Sequence, residues 1–174
     1  MTISIKPTAS GSTIEQDGST ILTVDGSGNI TPSNSMYPKV PAFAVYRSGT
    51  QSVTSGVYTK IAFNAETFDT DNLFDATTNY RFQPSIAGYY QLNCVVAHNG
   101  TSVSSAVPAV YKNGSIYQYG PYIQATNANS CISTMLYLNG TTDYVEIYAY
   151  QTASTAAWSG NGYSTWFNGH LVSV

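Results

Sequence analysis

Paired turn residues divide this chain into strand-length pieces. Seven of the 14 glycines directly follow Asn or Asp, and both residue types tolerate the positive φ that tight hairpin turns require. The pieces between the turns are rich in β-branched and aromatic residues, and none keeps an apolar period of 3.6 residues. This spacing predicts an all-β chain with almost no helix, folded as a sandwich or jelly roll. Strands are predicted near 42–47, 57–63, 79–83, 88–98, 106–112, 115–120, 130–138, 143–150 and 163–173.

The composition predicts a polar surface that is nearly uncharged. Charged residues make up 9% of the 174-residue chain, against about 25% in ordinary soluble domains. The six Lys and Arg residues are scattered, so no basic stripe is available to bind nucleic acid. No run of 18 apolar residues could span a bilayer, so membrane insertion is not expected. The N-terminus also lacks the pattern of a secretion signal.

The first 40 residues differ from the rest and predict a separate N-terminal arm, followed by a head domain over 41–174. An eight-residue unit occurs twice, as Asp17-Gly-Ser-Thr-Ile-Leu-Thr-Val24 and Asp25-Gly-Ser-Gly-Asn-Ile-Thr-Pro32. Two such β-rich units cannot bury an apolar face alone. We therefore expect the arm to attach either to its own symmetry mates or to another protein. The expected attachment residues are Ile14, Ile21, Leu22, Val24 and Ile30.

Alternation is clearest between residues 143 and 150. Val145, Ile147 and Ala149 are predicted to share one face of a strand, and three tyrosines with Glu146 the other. A monomer seldom leaves such an aromatic face in water. The pattern therefore favours an oligomer.

From residue 42 onward the chain resembles a C1q-type domain of the C1q/tumour-necrosis-factor jelly-roll superfamily. The similarity lies in six short pieces that occur in the order of that family. These pieces are Ala42-Phe-Ala-Val-Tyr-Arg47, Thr59-Lys-Ile-Ala-Phe-Asn64, the segment from Phe74-Asp75 through Asn79-Tyr-Arg-Phe82 to Ala87-Gly-Tyr-Tyr90, Val110-Tyr-Lys-Asn-Gly114, Leu136-Tyr-Leu-Asn-Gly140 with Asp143-Tyr-Val145, and Ser164-Thr-Trp-Phe-Asn-Gly-His-Leu-Val172.

Two segments are similar in sequence to C1q-type modules of tailed-bacteriophage virion proteins. They are Thr67-Phe-Asp-Thr-Asp-Asn-Leu-Phe-Asp75 and the stretch from Asn79 to Tyr90. The resemblance implies a non-enzymatic homotrimer in the virion, assembled in the host cytoplasm, as a capsid decoration or a short fibre or appendage head. The arm would then bind other virion proteins. The alternatives are a tail-fibre receptor-binding tip and a secreted C1q-type ligand.

The resemblance also implies that the double-tyrosine strand and the last strand lie near a threefold axis. The resemblance nominates five residues for the trimer interface. Burial in the core of the sandwich is an equally open alternative for each of them. They are Tyr90, Leu92, Tyr148, Phe167 and Leu171.

Two aromatic loop stretches are candidates for contact with host-surface carbohydrate, because aromatic faces and amides suit sugar rings and hydroxyls. The candidate residues are Tyr119, Tyr122, Trp158 and Asn161. For Trp158 the alternative is that the ring packs under its own loop.

No cofactor and no catalytic residue is expected. Asp69 and Asp71 begin like a calcium loop, but Leu73 and Phe74 break the EF-hand pattern, which leaves a weak calcium candidate. His98 and His170 each stand alone, without a partner at a catalytic or metal-ligand spacing. Cys94 and Cys131 both read as buried thiols, with a disulfide as the alternative.

Overall fold

The structure is a computed structural model that describes residues 2–32, 40–102, 105–126 and 128–174. The chain forms two compact units, one before residue 40 and one from Val40 to Val174. The described residues are β-strands, turns and irregular segments without helix, as the turn spacing predicts. Among them there is no helix that is long and apolar enough to cross a membrane.

The N-terminal unit is a four-stranded antiparallel sheet in the order β1-β2-β3-β4. The two aspartates of the repeat form its turns. Asp17 and Gly18 both have positive φ between β2 and β3. The Asp25 carboxylate accepts backbone N–H groups of Ser27 and Asn29 at 2.8 and 2.9 Å in the next turn. The strands are β1 (Ile3–Thr8), β2 (Gly11–Gln16), β3 (Ser19–Asp25) and β4 (Ile30–Pro32).

The second unit, here called the head, contains the remaining strands. Nine of the thirteen described strands lie at predicted positions, because most runs end at turn residues that also end the strands. The strands at 51–52, 65–69, 74–75 and 157–158 are not among the predicted ones. The strands are β5 (Ala42–Tyr46), β6 (Gln51–Ser52), β7 (Thr59–Lys60), β8 (Ala65–Asp69), β9 (Phe74–Asp75), β10 (Arg81–Phe82), β11 (Gly88–Asn99), β12 (Ser105–Lys112), β13 (Ser115–Tyr119), β14 (Asn129–Leu138), β15 (Val145–Thr152), β16 (Ala157–Trp158) and β17 (Trp166–Ser173).

The head is a sandwich of two sheets. Sheet I has the order β13-β12-β15-β10-β9, with β7 also paired to β15. Sheet II has the order β6-β16-β11-β17-β5-β8, with β14 also paired to β11. Strands that are distant in sequence are neighbours in both sheets, as in a jelly roll.

The core lies between the two sheets and is rich in aromatic rings. Phe43 stacks on Phe82 at 4.3 Å between ring centroids and meets the edge of Phe167 at 4.9 Å. The predicted alternation in β15 is confirmed, since Val145, Ile147 and Ala149 all lie in this core cluster. Its other large members include Ile61, Phe63, Phe74, Tyr90, Leu92, Leu136, Leu138 and Trp158.

One local expectation needs correction, and one glycine within a strand has a packing reason. Cys94 is buried, but Cys131 is exposed, and both are free cysteines. The two residues lie on paired strands, where Val95 is the partner of Cys131, so that adjacent Cys94 points to the opposite face. Gly169 follows an asparagine but lies in the middle of β17, inside the predicted strand 163–173. A Cβ there would lie 2.5 Å from the Leu92 side chain, so close packing of β17 on β11 requires glycine.

Candidate functional site

The outward face of sheet II carries large side chains on β11, β14 and β17, and these three strands contain no Asp, Glu, Lys or Arg. On β11, Tyr89 precedes the buried Tyr90 and has 51% of its surface accessible. Its ring lies 5.5 Å from that of Tyr137 on β14, in an edge-on contact. We call this surface the β11–β14–β17 face. It comprises Tyr89, Gln91, Asn93, Cys131, Ser133, Met135, Tyr137, Asn168, His170 and Val172.

Amides and a hydroxyl connect the middle of the β11–β14–β17 face. Gln91 Nε2 donates to Ser133 Oγ at 2.9 Å, and Ser133 Oγ donates to Asn93 Oδ1 at 2.8 Å. Asn93 Nδ2 then donates to Asn168 Oδ1 at 3.1 Å across to β17. The polar groups satisfy one another, so the face can be covered without leaving an uncompensated charge.

An apolar cavity of about 300 Å³ lies at the β5–β8 side of the same sheet. Phe68, which is 49% exposed, forms one wall, and Ala42, Ala44 and Gly169 contribute to the others. An exposed phenylalanine beside an open apolar cavity is a surface that a protruding side chain of another molecule can fill.

Most of the nominated interface residues lie elsewhere. Tyr90, Leu92 and Phe167 are 0–1% exposed in the core, which is the alternative stated for them, and they have no surface to offer a partner. Tyr148 is on sheet I, and half-buried Leu171 packs against the core. For the double-tyrosine strand, the nomination chose the residue that faces inward instead of its neighbour that faces outward. Successive strand residues point to opposite faces, so the exposed residue of the double-tyrosine pair is Tyr89.

The outward face of sheet I carries a second aromatic surface, here called the tyrosine layer. Tyr58 lies 5.8 Å from Tyr119 and 5.3 Å from Tyr150, measured between ring centroids. Tyr111 stacks on Tyr148 at 4.0 Å. The tyrosine layer comprises Tyr58, Tyr111, Tyr119, Tyr122, Tyr148 and Tyr150.

Small residues beneath the tyrosine layer explain why its rings lie together. Ala109 pairs with both Tyr148 and Tyr119, and Val107 pairs with Tyr150. Paired residues of antiparallel strands share a face. Val107 and Ala109 are nevertheless fully buried and lie outside the core cluster, because the rings cover them.

Burial within the tyrosine layer favours the protonated form of three of its hydroxyls. Burial raises the pKa of Tyr58 far above its usual range, and hydrogen bonding to Tyr122 and Tyr119 adds to this. Burial also raises the pKa of Tyr111 and of Tyr148. Tyr119 and Tyr122 are 47% and 65% exposed, so their hydroxyls and ring surface are both accessible to a ligand.

The other two carbohydrate candidates have different surroundings. Trp158 is fully buried in the core cluster, with its ring edge-on to His98 at 5.2 Å, as the alternative reading proposed. Asn161 is half-buried at the rim of a polar cavity. The sequence stretch around Trp158 therefore offers an amide, but not the indole, to a ligand.

The two aspartates of the calcium candidate form a turn. Asp69 accepts the backbone N–H of Asp71 at 3.2 Å and that of Phe74 at 2.7 Å through its two carboxylate oxygens. Within the described part of the chain, no group of three or more His, Cys, Asp or Glu side chains is placed to hold a metal ion.

In the N-terminal unit, the register places nearly all apolar residues on one face. Ile5 pairs with Ile14, which pairs with Leu22, and Val24 pairs with Ile30. Ile3, Ile5 and Ile30 are 61–70% exposed. The predicted attachment residue Ile21 is half-buried and has no register partner, because it lies at a bulge after Ile14. Lys6 and Glu15 form an ion pair on the opposite face.

No family model and no curated protein sequence matches the chain, and the similarities found are to solved structures. The globular domain of zebrafish complement 1qA covers 76% of this chain and 97% of its own, with 18% identity and a TM-score of 0.56. Murine APRIL covers 77% of this chain and all of its own, with 14% identity and a TM-score of 0.56. The head has the fold of the C1q and tumour-necrosis-factor jelly rolls.

The PRD1 vertex protein P5 shares this fold over a longer stretch. It covers 92% of this chain and 86% of its own, with 17% identity and a TM-score of 0.57. A match of this extent must include part of the N-terminal unit, because the head ends at Val174 and begins only at Val40. These identities show a shared fold and nothing finer.

Proposed function

We propose that the chain is a non-enzymatic structural protein of a tailed-bacteriophage particle that works as a homotrimer. Its place is the virion, as a capsid decoration or the head of a short appendage. In this proposal the jelly-roll head associates with two copies of itself, and the N-terminal unit joins it to other particle proteins. The observation that carries the proposal is the uncharged, aromatic β11–β14–β17 face.

The chemistry of the β11–β14–β17 face favours self-association. Tyr89, Met135 and Tyr137 are each 47–51% exposed, and aromatic residues and methionine are enriched where interfaces are buried. Because β11, β14 and β17 contain no Asp, Glu, Lys or Arg, the face brings no such like charges together when copies meet. A closed ring of three copies uses the surface without leaving a template for open growth.

Support for a particle role comes from the shared fold and from the arm. P5 is named as a vertex protein. The apolar face of the N-terminal unit needs a cover, since a single sheet of about 30 residues cannot bury a core alone. A protein that joins a larger assembly supplies such a cover, and a secreted C1q-type ligand has no evident use for this arm.

The mass of the full chain in solution tests self-association. We expect light scattering to give three times the 18.7 kDa protomer mass. Met135→Lys should reduce it to one protomer, because a lysine would be buried without a partner. The matched control is Ile116→Lys on β13, where the side chain is 44% exposed. A wild-type monomer, or dissociation by both variants, contradicts the proposal.

The location of the chain on the particle tests its assignment to the virion. Immunogold labelling or a map of the assembled particle should place it at the capsid surface or on a short appendage. Labelling at the distal tip of a long tail fibre would favour the receptor-binding alternative. Absence from purified particles would exclude the virion role.

The tyrosine layer supports a second component, contact with host-surface carbohydrate. The hydroxyls of Tyr119 and Tyr122, beside their exposed ring surface, suit polyols. Three equal sites on one trimer would gain avidity from weak single contacts. Tyr122→Ala should weaken binding of the full chain to host cells, whereas Tyr163→Ala, at an 82% exposed loop position, should not.

A further inference from the structure

A cavity of about 410 Å³ lies in the head where three segments of the chain meet. It is formed by the loop that leads into β9, the segment around and after β10, and the turn between β14 and β15. We call it the Arg81 cavity, because its lining contains one guanidinium, that of Arg81, together with one carboxylate, that of Asp75. The other polar side chains of the lining are amides and hydroxyls, which belong to Asn72, Asn79, Gln83, Ser85 and Thr141.

The Arg81 guanidinium is only partly engaged within the protein. Nη2 donates to Gln83 Oε1 at 2.9 Å, and Cζ lies 4.3 Å from the centroid of the Tyr144 ring. Among the described residues, no carboxylate forms an ion pair with Arg81. Nε and Nη1 have no hydrogen-bond partner there, yet neither nitrogen is shut off from solvent. A guanidinium whose N–H groups are free and accessible is a binding group for a carboxylate.

The Asp75 carboxylate does not neutralise Arg81, although the two residues are register partners in the β9–β10 pair. Its Oδ1 accepts the backbone N–H groups of Thr77 and Thr78, and its Oδ2 accepts both the backbone N–H and the side-chain amide of Asn79. The hydrogen bonds from Thr78 and Thr77 hold the pKa of Asp75 well below its usual range. Because this carboxylate stays ionised, it repels a doubly charged anion such as phosphate more strongly than a singly charged one.

The walls of the Arg81 cavity are held in place by Gln83, which connects all three segments. The Gln83 N–H donates to the Leu73 carbonyl at 2.9 Å, and Nε2 donates to the Thr141 carbonyl at 2.9 Å. Gly140 has a φ of +70°, and a Cβ there would lie 2.4 Å from the Ala87 nitrogen, so the turn packs closely on the segment after β10. A site held in this way is preformed, which lowers the entropic cost of binding.

The size and the rim of the cavity narrow the ligand further. Its volume falls within the range of about 300–1,000 Å³ that is typical of small-molecule sites. Asn72, Ser85 and Thr141 are exposed, so their amide and hydroxyl groups can be reached from solvent. Amides and hydroxyls both donate and accept hydrogen bonds, as sugar hydroxyls do. A carboxylate that is carried on a ring of hydroxyls therefore matches the lining better than a simple anion or a neutral sugar.

We propose that the Arg81 cavity binds a uronic acid ring of a host-surface polysaccharide. The inference rests on the proposed carbohydrate contact and adds to it a separate site that recognises charge. Arg81 pairs with the sugar carboxylate through its free N–H groups, while Asn72 and Ser85 hydrogen-bond the ring hydroxyls. Such a site distinguishes acidic from neutral polysaccharides, which the tyrosine layer alone does not.

The test uses the full chain with glucuronate and galacturonate as probes, glucose and galactose as their neutral counterparts, and acetate as a plain carboxylate. Calorimetry and saturation-transfer NMR at low salt should show that at least one uronate binds about tenfold or more tightly than its neutral counterpart and than acetate. Added salt should weaken this binding. Arg81→Gln should weaken it about tenfold or more, and Ser85→Ala about threefold. The matched control is Ser52→Ala, an exposed serine outside the cavity, which should leave it unchanged.

Thermal melts of each variant separate lost binding from lost folding. If Arg81→Gln does not fold, Arg81→Lys decides, because it keeps the charge and should retain part of the preference for the uronate. The inference is overturned if neither uronate binds, if glucose or acetate binds equally well, or if the Arg81 variants bind like the wild type. Stronger binding of a glutamate-rich peptide would also overturn it.

Tyr122→Ala distinguishes this site from the tyrosine layer, and should leave uronate binding unchanged. If that variant alone abolishes binding, the Arg81 cavity is not the site and the proposed tyrosine contact stands. A monomeric mass, or absence from purified particles, would contradict the proposed function without altering the result for free sugars.

Discussion

Tyr89 and Tyr90 are adjacent in β11 but lie on opposite sides of sheet II. Tyr90 is fully buried, and its hydroxyl donates to the Ile86 carbonyl at 2.8 Å. Tyr89 is half exposed and touches Tyr137 on the neighbouring strand. One residue therefore holds the sandwich together, while the other belongs to the surface that we propose for self-association.

Removing the Tyr90 hydroxyl should reduce stability without affecting self-association. Tyr90→Phe keeps the ring contact with Phe82 at 5.4 Å but deprives the Ile86 carbonyl of its donor. We expect a loss of about 1 kcal/mol in the free energy of unfolding, measured by denaturant titration. Tyr89→Phe is the matched control, and an equal loss in both variants would refute the assigned roles.

Acidification should destabilise the head through His98. The unfolded imidazole has a pKa of about 6.5, whereas burial lowers the folded pKa to about 4. Between these values the unfolded state binds more protons, so stability falls as the pH falls, by roughly 2–3 kcal/mol in total. Unfolding midpoints from pH 7.5 to 4.5 check this, and His98→Gln should flatten the profile.

Below about pH 4, protonation of Asp143 should lower the stability of the head further. Hydrogen bonds from Asn113 and Lys112 hold the pKa of Asp143 below its usual range, and the Lys112 Nζ lies 2.9 Å from its carboxylate. Because the folded pKa is depressed, this contribution is present above about pH 4 and is lost as the pH falls further. Asp143→Asn should reduce the acidic step without abolishing it, because hydrogen bonds also lower the pKa of Asp75 and of Asp25, and it should leave the His98 step between pH 6.5 and 4.

A methyl group at position 160 should disturb the loop that borders the polar cavity. The Cβ of an alanine there would lie 1.7 Å from the Gly49 carbonyl oxygen, so backbone must shift. We expect Gly160→Ala to cost about 1–3 kcal/mol. Gly162→Ala, whose Cβ would lie 3.3 Å from the movable Tyr46 ring, should cost less. Equal melting temperatures for the two variants would contradict this account.

The apolar face of the arm should be needed for incorporation into particles. Ile5→Asp places a charge on a 70% exposed position of that face, and losing the burial of one isoleucine should lower occupancy about tenfold or more. Thr8→Asp, on the opposite face of β1, is the control. The copy number per purified particle measures the effect, and unchanged incorporation of Ile5→Asp would rule out this attachment.

Period-two patterning was enough to predict the long strands, but not β6, β8, β9 and β16, nor the phase of every strand. In β15 the apolar and aromatic residues alternate cleanly, so the core positions Val145, Ile147 and Ala149 follow from the sequence. In β11 the pair Tyr89-Tyr90 has the same chemistry on both faces, and either could have pointed inward. The register with β14 and β17 makes that choice.

The sequence by itself determined that this chain is an all-β sandwich with an uncharged surface and a β-rich arm, because turn dipeptides and alternation act over a few residues. Only the tertiary structure decided which faces of the strands are buried. It buried Trp158, joined tyrosines from β12, β13 and β15 with Tyr58 into one layer, and enclosed the polar cavity around His98. These arrangements bring together residues that are far apart in the chain, and the packing of whole sheets fixes them.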